Sequence, residues 1–235
     1  MRYKVIGYPK CGNTWLRIML NKLLTTSDSY KVNPVDYEWT HTIGSVDRGN
    51  SRKIYKSKKL KGLKRKNIII LIRDPRDVVV SLYHQLNGRE LKRYNHNCKN
   101  IDEFVMNREF GFERVIKFYE LIKNSLKHTN HIIITYEDLK TNGIETLQKV
   151  LKFMGKSISN KVVEEVYNEC SFDRLSELEK KQQIEDLPFF GTEEENMLMM
   201  RKGIVCNYKN ELKKKTIKYC NDILKGVNKT LNNYF

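Results

Sequence analysis

The stretch YKVIGYPKCGNT, residues 3–14, decides the fold, because it contains the end of a strand, a tight loop and the start of a helix. The apolar pattern up to Gly7 is typical of a strand, and apolar residues recur at helical spacing from Leu16 onwards. In such a turn the first amide N–H groups of the helix face any bound anion, and Gly12 lets the backbone come close to it. Lys10 adds a positive charge. The stretch therefore predicts an anion-binding loop between a strand and a helix.

The glycine spacing of this loop matches only part of the loop that binds nucleoside triphosphates. Gly7 and Gly12 fit the first half of the pattern Gly-x4-Gly-Lys-Ser/Thr. Asn13 stands where that pattern has lysine, and Thr14 stands where it has the hydroxyl that holds magnesium. We therefore expect the loop to bind phosphate or sulfate without the geometry of a magnesium triphosphate. The alternative is an ordinary turn between a strand and a helix.

Strand and helix patterns alternate along the rest of the chain. The apolar runs at 67–72 and 131–135 have the length of buried strands, and helical spacing follows. This order predicts an α/β fold with a central parallel β-sheet flanked by helices, with ligands beyond the carboxyl ends of the strands. The length of 235 residues suits a single domain over 1–235.

The composition is that of a basic globular chain. Apolar residues make up 40% and charged residues 31%, and the net charge is +16. Because the positive charges are spread along the chain, we expect an anionic small molecule rather than nucleic acid as the ligand. The five cysteines are widely spaced, which disfavours a disulfide framework or a zinc site. No apolar stretch is long enough for a membrane span or a secretion signal, so the expected location is the cytoplasm, without a membrane partner.

A second anion-binding pattern follows the apolar run at 67–72. Arg73 stands at the end of this predicted strand, where a guanidinium can grip a phosphate with two hydrogen bonds. Ser81 lies about two turns into a helix that begins near Pro75, so both side chains can reach one anion. The alternative is an arginine–aspartate pair at a helix start, with Ser81 merely packed.

The loop residues Tyr8-Pro-Lys-Cys-Gly-Asn-Thr-Trp15 resemble the 5′-phosphosulfate loop of the sulfotransferase family, usually Tyr-Pro-Lys-Ser-Gly-Thr-Thr-Trp. The resemblance implies the donor 3′-phosphoadenosine 5′-phosphosulfate, the product adenosine 3′,5′-bisphosphate and no required metal. It implies that Lys10 contacts the bridging oxygen between sulfate and phosphate. It also implies that Asn13, Thr14 and backbone amides, including that of Gly12, hold the 5′-phosphate, and that Trp15 stacks on the adenine. Cys11 replaces the usual serine, a change that a loop acting through its backbone should tolerate.

Three further segments support this resemblance in the same chain order. Arg73 and Ser81 correspond to the family's 3′-phosphate motif, and Arg201-Lys202-Gly203 resembles the segment that completes that site. Around this last segment the match weakens, because the usual Gly-Asp-Trp is replaced by residues 206–208. Tyr136 begins a Tyr-Glu-Asp segment that the family places beside the adenine. The segment with Ser171 and Phe172 resembles a second adenine-side segment.

The resemblance also implies a histidine general base, which the family carries in a Lys-Thr-His-like segment after the third strand. His41 follows a strand-like stretch with the sequence Thr-His, whereas Lys58 aligns with the family's histidine in spacing. Neutral histidine accepts a proton near pH 7, and lysine does so only when burial lowers its pKa. We therefore favour His41 as the base, with Lys56 or Lys58 as an electrostatic helper. The acceptor is expected to be a small molecule or a carbohydrate, bound by stretches near 38–52, 83–98 and 181–200.

Other classes of function stay open from the sequence. One is a P-loop nucleotide kinase, which the incomplete Lys-Ser/Thr pair after Gly12 disfavours. Another is a homologue that binds nucleotide without catalysis, which lysine in place of the family's histidine makes credible. The third is a basic nucleic-acid-binding module. The oligomeric state is left open too.

Overall fold

The computed structural model describes residues 3–26, 37–40, 63, 67–87, 97–181 and 201–231. The strands are β1 (Tyr3–Gly7), β2 (Tyr37–Thr40), β3 (Asn67–Ile72) and β4 (His131–Thr135). The helices of the first half are α1 (Asn13–Thr26), α2 (Pro75–Asn87), α3 (Ile101–Met106) and α4 (Phe112–Leu126). Those of the second half are α5 (Tyr136–Thr141), α6 (Gly143–Phe153), α7 (Asn160–Glu169), α8 (Phe172–Lys180), α9 (Tyr208–Glu211) and α10 (Lys214–Leu231).

The described strands form one parallel sheet in the order β2-β1-β3-β4. Val5 of β1 lies opposite Ile69 of β3, and Ile69 lies opposite Ile132 of β4. All four strands therefore end at the same edge, and the loops that leave them are neighbours in space. The predicted α/β architecture with a central parallel sheet is confirmed.

The core lies on both faces of this sheet. In β3, residues 68–71 are fully buried, which confirms the prediction of a strand covered on both sides. The apolar face predicted for α1 is also buried, since Leu16, Met19 and Leu20 have no exposed surface. Burial of each such side chain stabilises the fold by about 1.5–3 kcal/mol. This packing holds both β1 and α1 in place, and so fixes the two ends of the loop that joins them.

Among the helices of the described ranges, none combines the length and the hydrophobicity needed to cross a membrane.

Candidate functional site

The loop after β1 has a backbone that only certain residues can adopt. Lys10 has φ of +74° and Gly12 has φ of +94°, and the Cys11 amide donates to the Tyr8 carbonyl oxygen at 3.2 Å. A Cβ atom on residue 12 would lie 2.7 Å from the Tyr136 ring. Glycine at position 12 is therefore required both by the left-handed backbone and by the close ring.

Asn13 shapes this loop from inside. Its side-chain amide donates to the Tyr8 carbonyl oxygen at 2.8 Å, and the residue is only 6% exposed. A Cβ atom on residue 7 would lie 2.1 Å from the Asn13 Oδ1, so glycine is needed at position 7 as well. This contact differs from the expectation that the Asn13 side chain holds a phosphate. The helix α1 still begins with Asn13, followed by the partly exposed Thr14. Its first turn carries no acidic residue that would weaken the positive end of the helix dipole.

Arg73 connects the loop after β1 with the segment near the C-terminus. Its Nη1 donates to the Lys10 carbonyl oxygen at 3.2 Å, and its Nη2 donates to the Ile204 carbonyl oxygen at 3.3 Å. The guanidinium lies 4.2 Å above the Tyr136 ring, and the buried Nε has no hydrogen-bond partner. An unpaired buried donor on a cation is costly unless an acceptor reaches it. The structure therefore brings the two predicted anion-binding loops together.

Tyr119 is a buried connection that the sequence did not reveal. Its hydroxyl donates to the Arg73 carbonyl oxygen at 2.8 Å, accepts from the Arg73 amide at 3.2 Å and lies 3.3 Å from the Cys11 Sγ. Burial raises the pKa of the Cys11 thiol to about 12, so this thiol is neutral at physiological pH. The amide and the thiol of Cys11 both have partners inside the protein. Cys11 therefore helps to fix the shape of the loop. This agrees with the expectation that a loop that binds through its backbone tolerates cysteine in place of serine.

The segment at 201–207 is held against α2 by a buried carboxylate. Asp77, 1% exposed, accepts from the Cys206 amide at 2.7 Å and from the Tyr208 amide at 2.9 Å. Gly203 has φ of +64°, and a Cβ there would lie 2.4 Å from the Phe172 ring. The segment is thus fixed on one side by α2 and on the other by Phe172.

Glu211 gathers the polar side chains of this region. Arg201, Lys202 and Asn207 donate to its Oε1 at 2.7–3.1 Å, and His84 Nε2 lies 2.5 Å from its Oε2. Burial alone would raise the pKa of Glu211, but the hydrogen bonds from His84, Lys202 and Asn207 lower it to about 2, so the carboxylate is charged. The pKa of His84 is lowered, and the largest cause is burial, which disfavours the charged imidazolium.

The face of α2 that carries His84 also carries Ser81. Ser81 is partly exposed and lies three residues before His84, so the two side chains are neighbours on the helix surface. His84 reaches the carboxylate that holds Arg201 and Lys202, so this part of α2 lies near that segment. The structure thus brings Arg73 against the segment that follows Gly203, whereas Ser81 is placed only by its position one turn before His84 on α2.

Aromatic rings form the other side of the site. Trp15 Nε1 donates to the Cys170 carbonyl oxygen at 2.7 Å, and its ring packs edge-on against Tyr136 at 5.7 Å. Lys140 Nζ lies 5.7 Å from the Trp15 ring and 5.4 Å from the Phe172 ring. Ser171 precedes Phe172 at the start of α8. The residues predicted beside an adenine are therefore neighbours in the fold.

Three predicted residues, the candidate helper Lys56 among them, lie outside the described part of the chain. The other two are the candidate base His41 and its alternative Lys58, and most of the predicted acceptor stretches also lie outside that part. The described part of β2 ends at Thr40, which lies opposite Ile6 of β1. Of the residues that sequence reasoning missed, Asp77 lies between Arg73 and Ser81 of the predicted 3′-phosphate motif, whereas Tyr119 and Glu211 carried no local signal.

The comparisons with known proteins agree with this geometry. The family model described as the sulfotransferase domain matches residues 3–233, so the chain belongs to the sulfotransferase family. Flavonol 3-sulfotransferase of Flaveria bidentis is 25% identical over 233 residues, covering 87% of this chain and 74% of the relative. Luciferin sulfotransferase of Photinus pyralis is 25% identical over 165 residues, covering 67% of this chain. The matches to that protein and to sulfotransferase 1A1 of Rattus norvegicus span only 43% and 38% of those relatives.

Solved structures share the fold. The crystal structure of mouse sulfotransferase SULT7A1 complexed with PAP has a TM-score of 0.68 at 17% identity, covering 96% of this chain and 83% of the other. That of retinol dehydratase with androsterone and inactive cofactor PAP has a TM-score of 0.71 at 15% identity, covering 98% and 82%. These likenesses agree with the fold that the strand order indicated.

Proposed function

We propose that this protein transfers a sulfuryl group from 3′-phosphoadenosine 5′-phosphosulfate to a hydroxyl or amine of a small-molecule or carbohydrate acceptor. The observation that carries the proposal is the position of Arg73 between the Lys10 carbonyl oxygen and the Ile204 carbonyl oxygen. One cation thereby links the loop that resembles a 5′-phosphosulfate site with the segment that resembles a 3′-phosphate site. Family membership and the PAP-bound neighbours, whose ligand is adenosine 3′,5′-bisphosphate, support the same donor.

The residues divide between the parts of the donor. On the 5′ side, the backbone at Gly12, the start of α1 and Thr14 would hold the phosphate, with Cys11 and the Asn13 side chain shaping the loop. On the 3′ side, the cations and donors would be Arg73, Ser81, Arg201, Lys202 and the Gly203 amide. The adenine would lie among Trp15, Tyr136, Ser171 and Phe172, of which the three aromatic side chains supply stacking surface.

The proposed reaction is an in-line displacement at sulfur. The acceptor oxygen forms a bond to sulfur while the bond from sulfur to the bridging oxygen breaks, and the bisphosphate leaves. Lys10 would place its positive charge against that bridging oxygen as negative charge develops. A base would take the acceptor proton, and we propose His41 for this role, with Lys58 adding positive charge nearby.

The base is tested by replacing His41 with alanine. We expect the variant to bind adenosine 3′,5′-bisphosphate like the wild type and to lose transfer by about 100-fold or more, the usual contribution of a general base. An acceptor screen with radiolabelled donor supplies the transfer assay, and Lys58→Ala is the matched variant for the rival position. Retained transfer in His41→Ala would move the base to another residue.

The donor class is tested by thermal denaturation with added nucleotides. Adenosine 3′,5′-bisphosphate at about 100 times its Kd should stabilise the protein by about 2.7 kcal/mol, without magnesium. ATP with magnesium tests the kinase alternative, and double-stranded DNA tests the nucleic-acid alternative. A shift seen only with magnesium and ATP, or only with DNA, would refute the proposal. A shift with the bisphosphate but no transfer to any acceptor would favour the homologue that only binds nucleotide.

A further inference from the structure

One carboxylate, that of Glu211, holds both cations of the segment 201–202. Its Oε1 accepts from Arg201 Nη1 at 3.0 Å, from Arg201 Nη2 at 3.1 Å and from Lys202 Nζ at 2.9 Å, and Asn207 Nδ2 adds a contact at 2.7 Å. A carboxylate oxygen has two lone pairs, so these four contacts exceed what it can serve well. The donors around Glu211 are therefore more numerous than its own oxygen can satisfy.

The position of this carboxylate is set by other residues. His84 on α2 lies 2.5 Å from Oε2, and Asn207 is one turn before Glu211 on the chain. The Glu211 side chain is 12% exposed and that of Arg201 is 14% exposed, whereas that of Lys202 is 45% exposed. Since His84 and Asn207 can hold the carboxylate without the two cations, Arg201 and Lys202 are free to exchange it for another anion.

We propose that Glu211 is an internal anion that holds Arg201 and Lys202 while no nucleotide is bound, and that the donor's 3′-phosphate takes these cations from it. This inference rests on the proposed function. A phosphate offers three oxygens and up to two negative charges, so it satisfies the crowded donors better than one carboxylate oxygen. The product carries the same 3′-phosphate, so the same competition favours product release.

The proposed competition predicts the direction in which affinity for the 3′-phosphate changes when Glu211 is replaced. Removing the negative charge of Glu211 leaves Arg201 and Lys202 without their internal anion, so affinity for a 3′-phosphate should rise. If Glu211 instead positioned the two cations for the nucleotide, its loss would lower that affinity. The two roles are separated by comparing a ligand that has the 3′-phosphate with one that lacks it.

The experiment measures the Kd of adenosine 3′,5′-bisphosphate and of AMP by titration calorimetry at one pH and salt concentration. In Glu211→Gln we expect the bisphosphate to bind about 10-fold more tightly, because one negative charge that lies several ångströms from the bound phosphate is lost. The Kd of AMP should change less than about twofold. Glu211→Ala should shift the ratio in the same direction, and retained AMP binding shows that a variant is folded.

The matched control is Asp222→Asn on α10. Asp222 also holds two lysines, Lys218 at 2.8 Å and Lys225 at 3.5 Å, and the change removes the same charge from an exposed surface. In Asp222→Asn the ratio of the Kd of AMP to the Kd of the bisphosphate should equal that of the wild type. An unchanged or lower preference for the bisphosphate in the Glu211 variants would overturn the inference. Failure of the wild type to bind the bisphosphate would instead overturn the proposed function, and the inference with it.

Discussion

Replacing Arg73 with alanine is expected to weaken binding of adenosine 3′,5′-bisphosphate about 100-fold. The guanidinium lies between the loop at Lys10 and the segment at Ile204, and its buried Nε has no hydrogen-bond partner. Hydrogen bonds from a cation are worth about 1.5–3 kcal/mol each, and about 2.7 kcal/mol corresponds to 100-fold in Kd. Titration calorimetry with the bisphosphate measures the change.

Two further variants separate ligand contact from structural damage. Arg73→Lys keeps the charge but loses the planar fork, so we expect an intermediate loss of about 10-fold. Arg108→Ala removes an exposed arginine from the turn between α3 and α4 and should leave the Kd unchanged. Circular dichroism checks that each variant is folded. If the Arg73→Ala variant is folded and binds the bisphosphate as tightly as the wild type, Arg73 does not contact the nucleotide.

Replacing Lys10 with glycine is expected to slow sulfuryl transfer by about 10²–10³-fold, the usual loss when one electrostatic group at the reacting oxygen is removed. The same change should leave the free energy of unfolding unchanged or raise it by up to about 1 kcal/mol, because Lys10 has φ of +74° and glycine adopts this backbone without steric cost. The bisphosphate lacks the sulfuryl group, so its Kd should change much less than the transfer rate. Radiolabelled transfer and urea denaturation measure the two quantities.

Lys10→Ala is the matched comparison. It removes the same charge but keeps a Cβ in the left-handed region, so transfer should fall equally while the protein gains no stability. Equal transfer rates in wild type and in both variants would show that the Lys10 side chain takes no part in the reaction. A gain of stability in both variants would show that the strain does not come from the Lys10 backbone.

Much of the fold was predictable because it depends on local patterns. The apolar run at 67–72 has the length and composition of a covered strand, and the structure has β3 at the same bounds with a buried pattern. The loop at 8–12 was recognisable because glycine spacing restricts which backbone shapes are possible. Since parallel strands end at one edge, the neighbourhood of Gly12 and Arg73 was also predictable from their places after strands.

The side-chain functions inside the loop were less predictable. The Asn13 amide turns back to the Tyr8 carbonyl oxygen instead of reaching outwards. Cys11 looked like a small departure from a motif, yet its thiol lies against a hydroxyl 108 residues later in the chain. Both results depend on what packs behind the loop, and the sequence pattern contains no record of that packing.

By itself, the sequence determined where the strands end, which loops carry glycine and positive charge, and hence the edge at which we propose that an anion binds. Only the tertiary structure decided that Tyr119 joins Cys11 to Arg73 and that Glu211 holds Arg201, Lys202 and a histidine 127 residues away. Backbone periodicity and glycine geometry are local properties, so a short stretch of sequence specifies them. A carboxylate can pair with any cation that the packing brings within about 3 Å, so its partners are specified only when the helices dock.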